Sequence, residues 1–210
     1  MADYNFKTDF IIGKFGEYCW LRVLESRGSL FKKISSSKEF DLIVFTKGRE
    51  VKYEVKTDVY CYPCYETYNP IEKRVIEIDG KDTGNLFIED TSYGRPSGIN
   101  VCKADWFVYY YPYLGEFWVI KLDELKKLIN ENKFDYKSYS GDEGSDTGGW
   151  VIPRIKFREK FYIVNVNKLP CDSEESRKKM KAWLNGVGGE WLYENDRAWL
   201  AKFGVPYLKG

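Results

Sequence analysis

Hydrophobic positions along the chain keep a helical rhythm first and then break into short alternating runs. Over residues 9–25, Ile12, Phe15, Cys19 and Val23 form one stripe with Trp20 and Leu24 beside it, which predicts a helix capped by Thr8 or Asp9 and stopped by Gly28. Residues 40–45 and 50–57, joined by Thr46-Lys47-Gly48-Arg49, predict a β-hairpin. Further strands are predicted at 75–78, 86–89, 106–111, 117–122, 151–157 and 161–166. A short helix running to Ala104 should follow the loop from Tyr93 to Gly98, and Leu122, Leu125, Leu128 and Ile129 mark another helix. Two more helices are expected at 173–184 and 190–203. Residues 138–149, rich in Gly, Ser and Asp, predict a flexible loop or linker between a core at 1–137 and C-terminal strands and helices at 150–210 packed on that core.

This succession of elements predicts an α/β protein with a central mixed β-sheet flanked by helices. A length of 210 residues suits one domain, with about 70% of the unfolded surface buried, so neither a metal nor a disulfide is required for folding. Aromatic residues make up 18% of the chain, and 33 basic against 32 acidic residues leave a net charge of +1. A nucleic acid would therefore have to be held by a local patch rather than by a global positive field. With no histidine in the sequence, imidazole triads, zincins and His-dependent nucleases are excluded, and carboxylates and lysine must carry any catalysis. Five scattered cysteines, a Met-Ala-Asp-Tyr start without a signal-peptide pattern and no long apolar run predict a soluble, cytoplasmic protein.

The hairpin concentrates the candidate chemistry. With Lys47-Gly48 as a two-residue turn, Asp41 falls opposite Glu54, and Phe40, Leu42, Val44, Val51, Tyr53 and Val55 form one apolar face. A Gly-bulge turn would instead set Asp41 opposite Tyr53 and mix polar with apolar residues on both faces, which burial disfavours. In the first register the two acids start about 4.5–5.5 Å apart at Cβ. Carboxylates that close repel unless one is protonated or a cation lies between them. Mg²⁺ suits such a pair, since it takes one or two carboxylates and fills its other positions with water and phosphate oxygens. Lys56 projects from the same face, about 6–7 Å beyond Glu54, where it can orient or deprotonate water or neutralise charge on phosphorus. A merely solvated face of alternating Lys and Glu fits these residues equally well.

Phe-Asp41-Leu-Ile-Val and Tyr-Glu54-Val-Lys56-Thr resemble the motif of the PD-(D/E)XK, or restriction-endonuclease-like, nuclease superfamily, with Phe40 in place of the motif's proline. Gly84-Asn-Leu-Phe-Ile-Glu89, Ser97-Gly-Ile99 and Ala104-Asp-Trp-Phe-Val-Tyr109 resemble a phage-type branch of it, and the likeness covers about half the chain. It implies a restriction-endonuclease-like core and a Mg²⁺-dependent DNA endonuclease, with Mn²⁺ able to substitute, acting in the cytoplasm of a host cell. Asp41, Glu54 and the Val55 carbonyl would hold metal, Lys56 would assist the water, and Glu17 on the first helix would add an acid. Lys52, Glu89, Arg95 and Lys103 are the candidate substrate contacts, with Glu89 alternatively an acid that supports the metal ligands from behind, and a homodimer would suit cutting of both strands. A structure-selective junction or flap nuclease, and a non-catalytic DNA-binding or assembly protein that keeps the fold, are the rival readings.

Other features carry less. Cys61-Tyr-Pro-Cys64 has zinc-knuckle spacing without a second pair or a histidine, which favours free thiols. Tyr60, Tyr62, Tyr65 and Tyr68 suit base stacking or simple packing on the sheet. Lys32-Lys33, 154–160 and 177–181 are basic clusters able to meet phosphate or just water. Trp183, Trp191 and Trp199 are expected to anchor the C-terminal helices.

Overall fold

The computed structural model describes residues 6–34, 39–58, 61, 65–69, 74–78, 82–140 and 146–166. The helices expected at 173–184 and 190–203, with their tryptophans and the 177–181 cluster, lie outside these residues, as do Tyr60, Tyr62 and Cys64.

Helix α1 spans Phe6–Ser26, one turn earlier than its sequence pattern suggests, so Thr8 and Asp9 lie within it. Gly28 ends it as expected. With φ +83 it lets its N–H bond the Glu25 carbonyl at 2.9 Å while the Ser29 N–H bonds Leu24 at 3.0 Å. The stripe residues Phe15, Cys19, Trp20, Val23 and Leu24 are buried, but so are Tyr18 and Leu21, so the helix is enclosed on most sides.

The main sheet has six strands: β1 (Leu30–Ile34), β2 (Leu42–Thr46), β3 (Arg49–Thr57), β8 (Trp106–Tyr111), β9 (Glu116–Lys121) and β12 (Tyr162–Asn165), hydrogen-bonded in that order. Only β3 and β8 run parallel, which makes the sheet mixed. The edge strand β1 has no counterpart in the sequence reading. Its Leu-Phe-Lys-Lys-Ile lacks alternation, and Lys32-Lys33 falls on this edge strand.

Strands β4 (Tyr65–Asn69) and β5 (Arg74–Ile78) pair as a separate ribbon, which puts Tyr65 and Tyr68 on a strand. A second sheet joins β10 (Asp135–Ser140), β11 (Asp146–Pro153), β6 (Asn85–Ser92) and the short β7 (Arg95–Pro96), in that order. Residues 138–140 and 146–149, expected in a flexible loop or linker, are thus paired strand. Gly148 and Gly149 lie flat here because a side chain at either would strike Tyr136 or the β6 backbone. Their composition reads as a loop only when these neighbours are unknown.

The short helix expected before Ala104 is a single 3₁₀ turn, Gly98–Asn100. Helix α2 covers Leu122–Glu131 and buries Leu122, Leu125, Leu128 and Ile129, as their spacing predicts. Among the described residues no helix is long and apolar enough to cross a membrane.

Each face of the main sheet has its own cover. Trp20 meets Tyr53 edge-on, with centroids 5.8 Å apart, and Phe15 meets Tyr110, so α1 lies on the face of Tyr53, Val55 and Thr57. The opposite face carries Glu54, Lys56, Tyr109 and Tyr111, and β6 lies against it through the Tyr111 hydroxyl, which donates to the Asn85 carbonyl at 3.0 Å. Arg154 clasps the two sheets together. It is 3% exposed, forks onto Asp82 and stacks over Tyr111 at 4.4 Å. The expectation that residues 154–160 form an exposed basic patch therefore fails at its first member: a planar guanidinium between a carboxylate and an aromatic ring is a buried structural tie.

Candidate active site

The hairpin turn decides the site. Lys47 and Gly48 have φ +49 and +79, the pair of left-handed residues of a two-residue type I′ turn. Leu42 then pairs Tyr53 and Val44 pairs Val51, and the paired ladder ends at Leu42. Leu42, Val44, Val51, Tyr53 and Val55 are buried, as expected of the apolar face, whereas Phe40, also buried, lies against Lys52 of the other face.

At the open end of the hairpin the side chain of Asp41 takes over from the backbone ladder. Its N–H still bonds Tyr53 at 2.9 Å, but its Oδ2 accepts the Val55 N–H at 2.8 Å, beyond the last paired residue of β2. The N–H and C=O of one strand residue point to the same edge, so the Val55 carbonyl faces the β2 edge as well.

Glu54 is 5% exposed, and the Lys56 ammonium lies 2.6 Å from its Oε1. Burial pushes the Glu54 carboxyl above its ordinary range; Asp41 and Glu89 add to this and Lys56 opposes it. For Lys56, burial alone would lower the ammonium, but Glu54, Asp41 and Glu89 outweigh it and hold it above the usual lysine range. Forty per cent of the lysine side chain remains exposed, against 7% of the Glu54 side chain.

Of the predicted site residues, Asp41, Glu54, Lys56 and Glu89 are drawn into one electrostatic neighbourhood. Glu17 is buried at 5% exposure on α1, which crosses the other face of β3; Gly16 there sits directly against Thr57. Lys52 is on the Glu54 face, with its ammonium 5.0 Å from the Phe40 ring centre and its backbone tied to Asp105 in both directions. Arg95 is exposed on β7, and Lys103 forms an exposed ion pair with Glu39 at 2.5 Å. Cys61 is buried, with its thiol donating to the Asp58 carbonyl. Two neighbours escaped sequence reasoning: Tyr109, the partner of Lys56 across β8, and Cys102, whose buried thiol is pushed up to about 11 close to Glu54 and Lys56. Both come from pairings distant in sequence, and neither has a local signal.

Among the described residues no three carboxylates or thiols converge to form a full metal cage. The donor set instead fits a hard cation that takes two carboxylates and completes its shell with water and substrate.

No family model matches the chain, and no curated protein matches it. Among solved structures, the chain is similar to the bacterial homing endonuclease I-Ssp6803I, with a TM-score of 0.34 and 14% identity over 90% of this chain and 97% of that one. It is also similar to the tetrameric restriction endonuclease SfiI bound to cognate DNA, with a TM-score of 0.31 and 12% identity over 78% of this chain and 82% of that one. Both neighbours are endonucleases.

Proposed function

We propose that this protein is a Mg²⁺-dependent DNA endonuclease of the PD-(D/E)XK type, a phage-type member working in the cytoplasm of a host cell. The observation that carries the reading is the meeting of Asp41 with the Glu54–Lys56 strand: its carboxylate accepts the Val55 N–H at 2.8 Å, and the Lys56 ammonium lies 2.6 Å from Glu54. Asp41, Glu54 and the Val55 carbonyl would hold Mg²⁺ or Mn²⁺. When bound, the cation supplies Lewis-acid activation of the phosphodiester and of the water that attacks it. Asp41 is anchored for this by the Val55 N–H, and Glu54 by its burial. Lys56, held as an ammonium, neutralises charge building on phosphate and orients the water rather than removing its proton. Lys52, Arg95 and Lys103 would meet the DNA backbone, and a homodimer would present two such sites to the two strands.

The direct Glu54–Lys56 pair also favours a second reading, a non-catalytic DNA-binding or assembly protein, since an ion pair alone stabilises such a site without metal. Incubating supercoiled plasmid with Mg²⁺, Mn²⁺ or EDTA separates the two. The nuclease reading expects nicking or linearisation that EDTA stops and that Asp41→Asn abolishes. The Asn oxygen can still accept from Val55, so the variant should stay folded. Cleavage by Asp41→Asn at the wild-type rate, or no cleavage by wild type with either metal, defeats the reading.

A further inference from the structure

We propose that Tyr93, at the tip of the β6–β7 hairpin, stacks its ring on a base of bound DNA while Arg95 beside it meets the phosphate backbone. This role rests on the DNA-binding reading above, which the nuclease and the non-catalytic alternative share.

Ser92 pairs Arg95 and Thr91 pairs Pro96, so Tyr93 and Gly94 form a two-residue turn. Their φ angles, +51 and +66, are both left-handed, as a type I′ turn requires. Asn or Gly suits the first position of such a turn, and a bulky aromatic there is a conformational outlier. Strain of this kind persists only where the surrounding structure enforces it, and it gathers at functional sites.

Packing does not offset the strain. Tyr93 is 64% exposed, and among the described residues no ring contact or side-chain hydrogen bond engages it. Tyr136 of the same sheet is also exposed, but its hydroxyl donates to Asp90 at 2.8 Å and its ring meets Trp150 edge-on at 4.9 Å. The fold uses Tyr136 and leaves Tyr93 for something outside it.

The tip is held in place from two sides. The Tyr93 N–H donates to the Asp146 carbonyl at 2.8 Å and ties the turn to β11, while the Ser97 N–H donates to the Asp90 carbonyl at 2.8 Å beyond Pro96, whose ring fixes its own φ. A ring presented on so rigid a backbone loses little freedom when it is covered. Every base offers a flat face to such a ring, and the Arg95 guanidinium matches the geometry of phosphate. Gly94, Arg95 and Asp146 are exposed around it and supply a cation, but no large apolar side chain that a protein partner would bury.

The test reads DNA affinity by fluorescence anisotropy across a salt series, with Ca²⁺ in place of Mg²⁺ so that binding is followed without cleavage. A duplex and a single strand of one sequence are compared for wild type, Tyr93→Asn, Tyr93→Trp and Arg95→Gln, with the thermal midpoint of each. Asn suits the turn better than Tyr, so Tyr93→Asn should melt no lower than wild type while its affinity for at least one of the two DNAs falls by about 5–150-fold. Tyr93→Trp, which keeps a ring, should bind as wild type does. Stacking releases no counterions, so the salt dependence should be unchanged in Tyr93→Asn and shallower in Arg95→Gln. If Tyr93→Asn binds both DNAs as tightly as wild type, or loses affinity only together with its thermal midpoint, the stacking role falls, and nicking of plasmid by wild type with Mg²⁺ would leave the nuclease reading standing. If Tyr93→Asn loses affinity as expected but wild type never nicks, the stacking role stands and the nuclease reading falls. If wild type neither binds nor nicks, both fall.

Discussion

Removing the Lys56 side chain probes the site without any assumption about substrate. In Lys56→Ala the Glu54 carboxylate, 5% exposed, loses an ammonium 2.6 Å away and keeps the repulsion of Asp41 and Glu89. Removing one partner of a fully buried pair costs about 3–5 kcal/mol. Forty per cent of the lysine side chain is in solvent, which screens the pair and lowers the expected loss to about 1–2 kcal/mol. In urea unfolding followed by tryptophan fluorescence, with a slope of about 2 kcal/mol/M, the midpoint should fall by about 0.5–1 M. The thermal midpoint should fall by about 2–8 °C.

The pH dependence carries the diagnosis. The Glu54 carboxyl already titrates above its ordinary 4.5, and the variant lacks the one group that opposed this rise. An acid whose pKa is raised on folding penalises the native state only where it is ionised, so the penalty is complete above the raised value and fades as pH falls through it toward 4.5. The variant should thus be clearly weaker than wild type at pH 8 and approach it near pH 5. Millimolar Mg²⁺ at pH 8 should restore part of the loss by replacing the missing charge. An equal deficit at both pH values would refute Lys56 as the counter-ion of Glu54, and no recovery with Mg²⁺ would count against a cation site there.

Two further substitutions test how the fold supports the site. Gly16→Ala drives a methyl into Thr57 where α1 crosses β3 and should cost about 1–3 kcal/mol; Thr57→Ala in the same chain should return part of it, read as a double-mutant cycle by denaturant unfolding. Arg154→Met leaves the solvent-exposed Asp82 without its forked partner and should destabilise by about 1–2 kcal/mol, whereas Arg154→Lys, lacking the planar fork, should recover less than half of that by thermal unfolding.

What could be read directly from the residues was whatever depends on near neighbours along the chain. The α1 stripe and its Gly28 stop, the α2 face and the hairpin register from Leu42–Tyr53 to the turn follow from spacing and turn chemistry, whereas the Asp41 contact with Val55 lies beyond that register. Tertiary structure decided everything that needs a distant partner. Residues 138–140 and 146–149 look like linker because their glycines are chosen for contact with Tyr136 and β6, which lie elsewhere in the chain. Arg154 looks like a surface cation until Asp82 and Tyr111 close around it. Periodicity records which side of an element is buried; it does not record what that side is buried against.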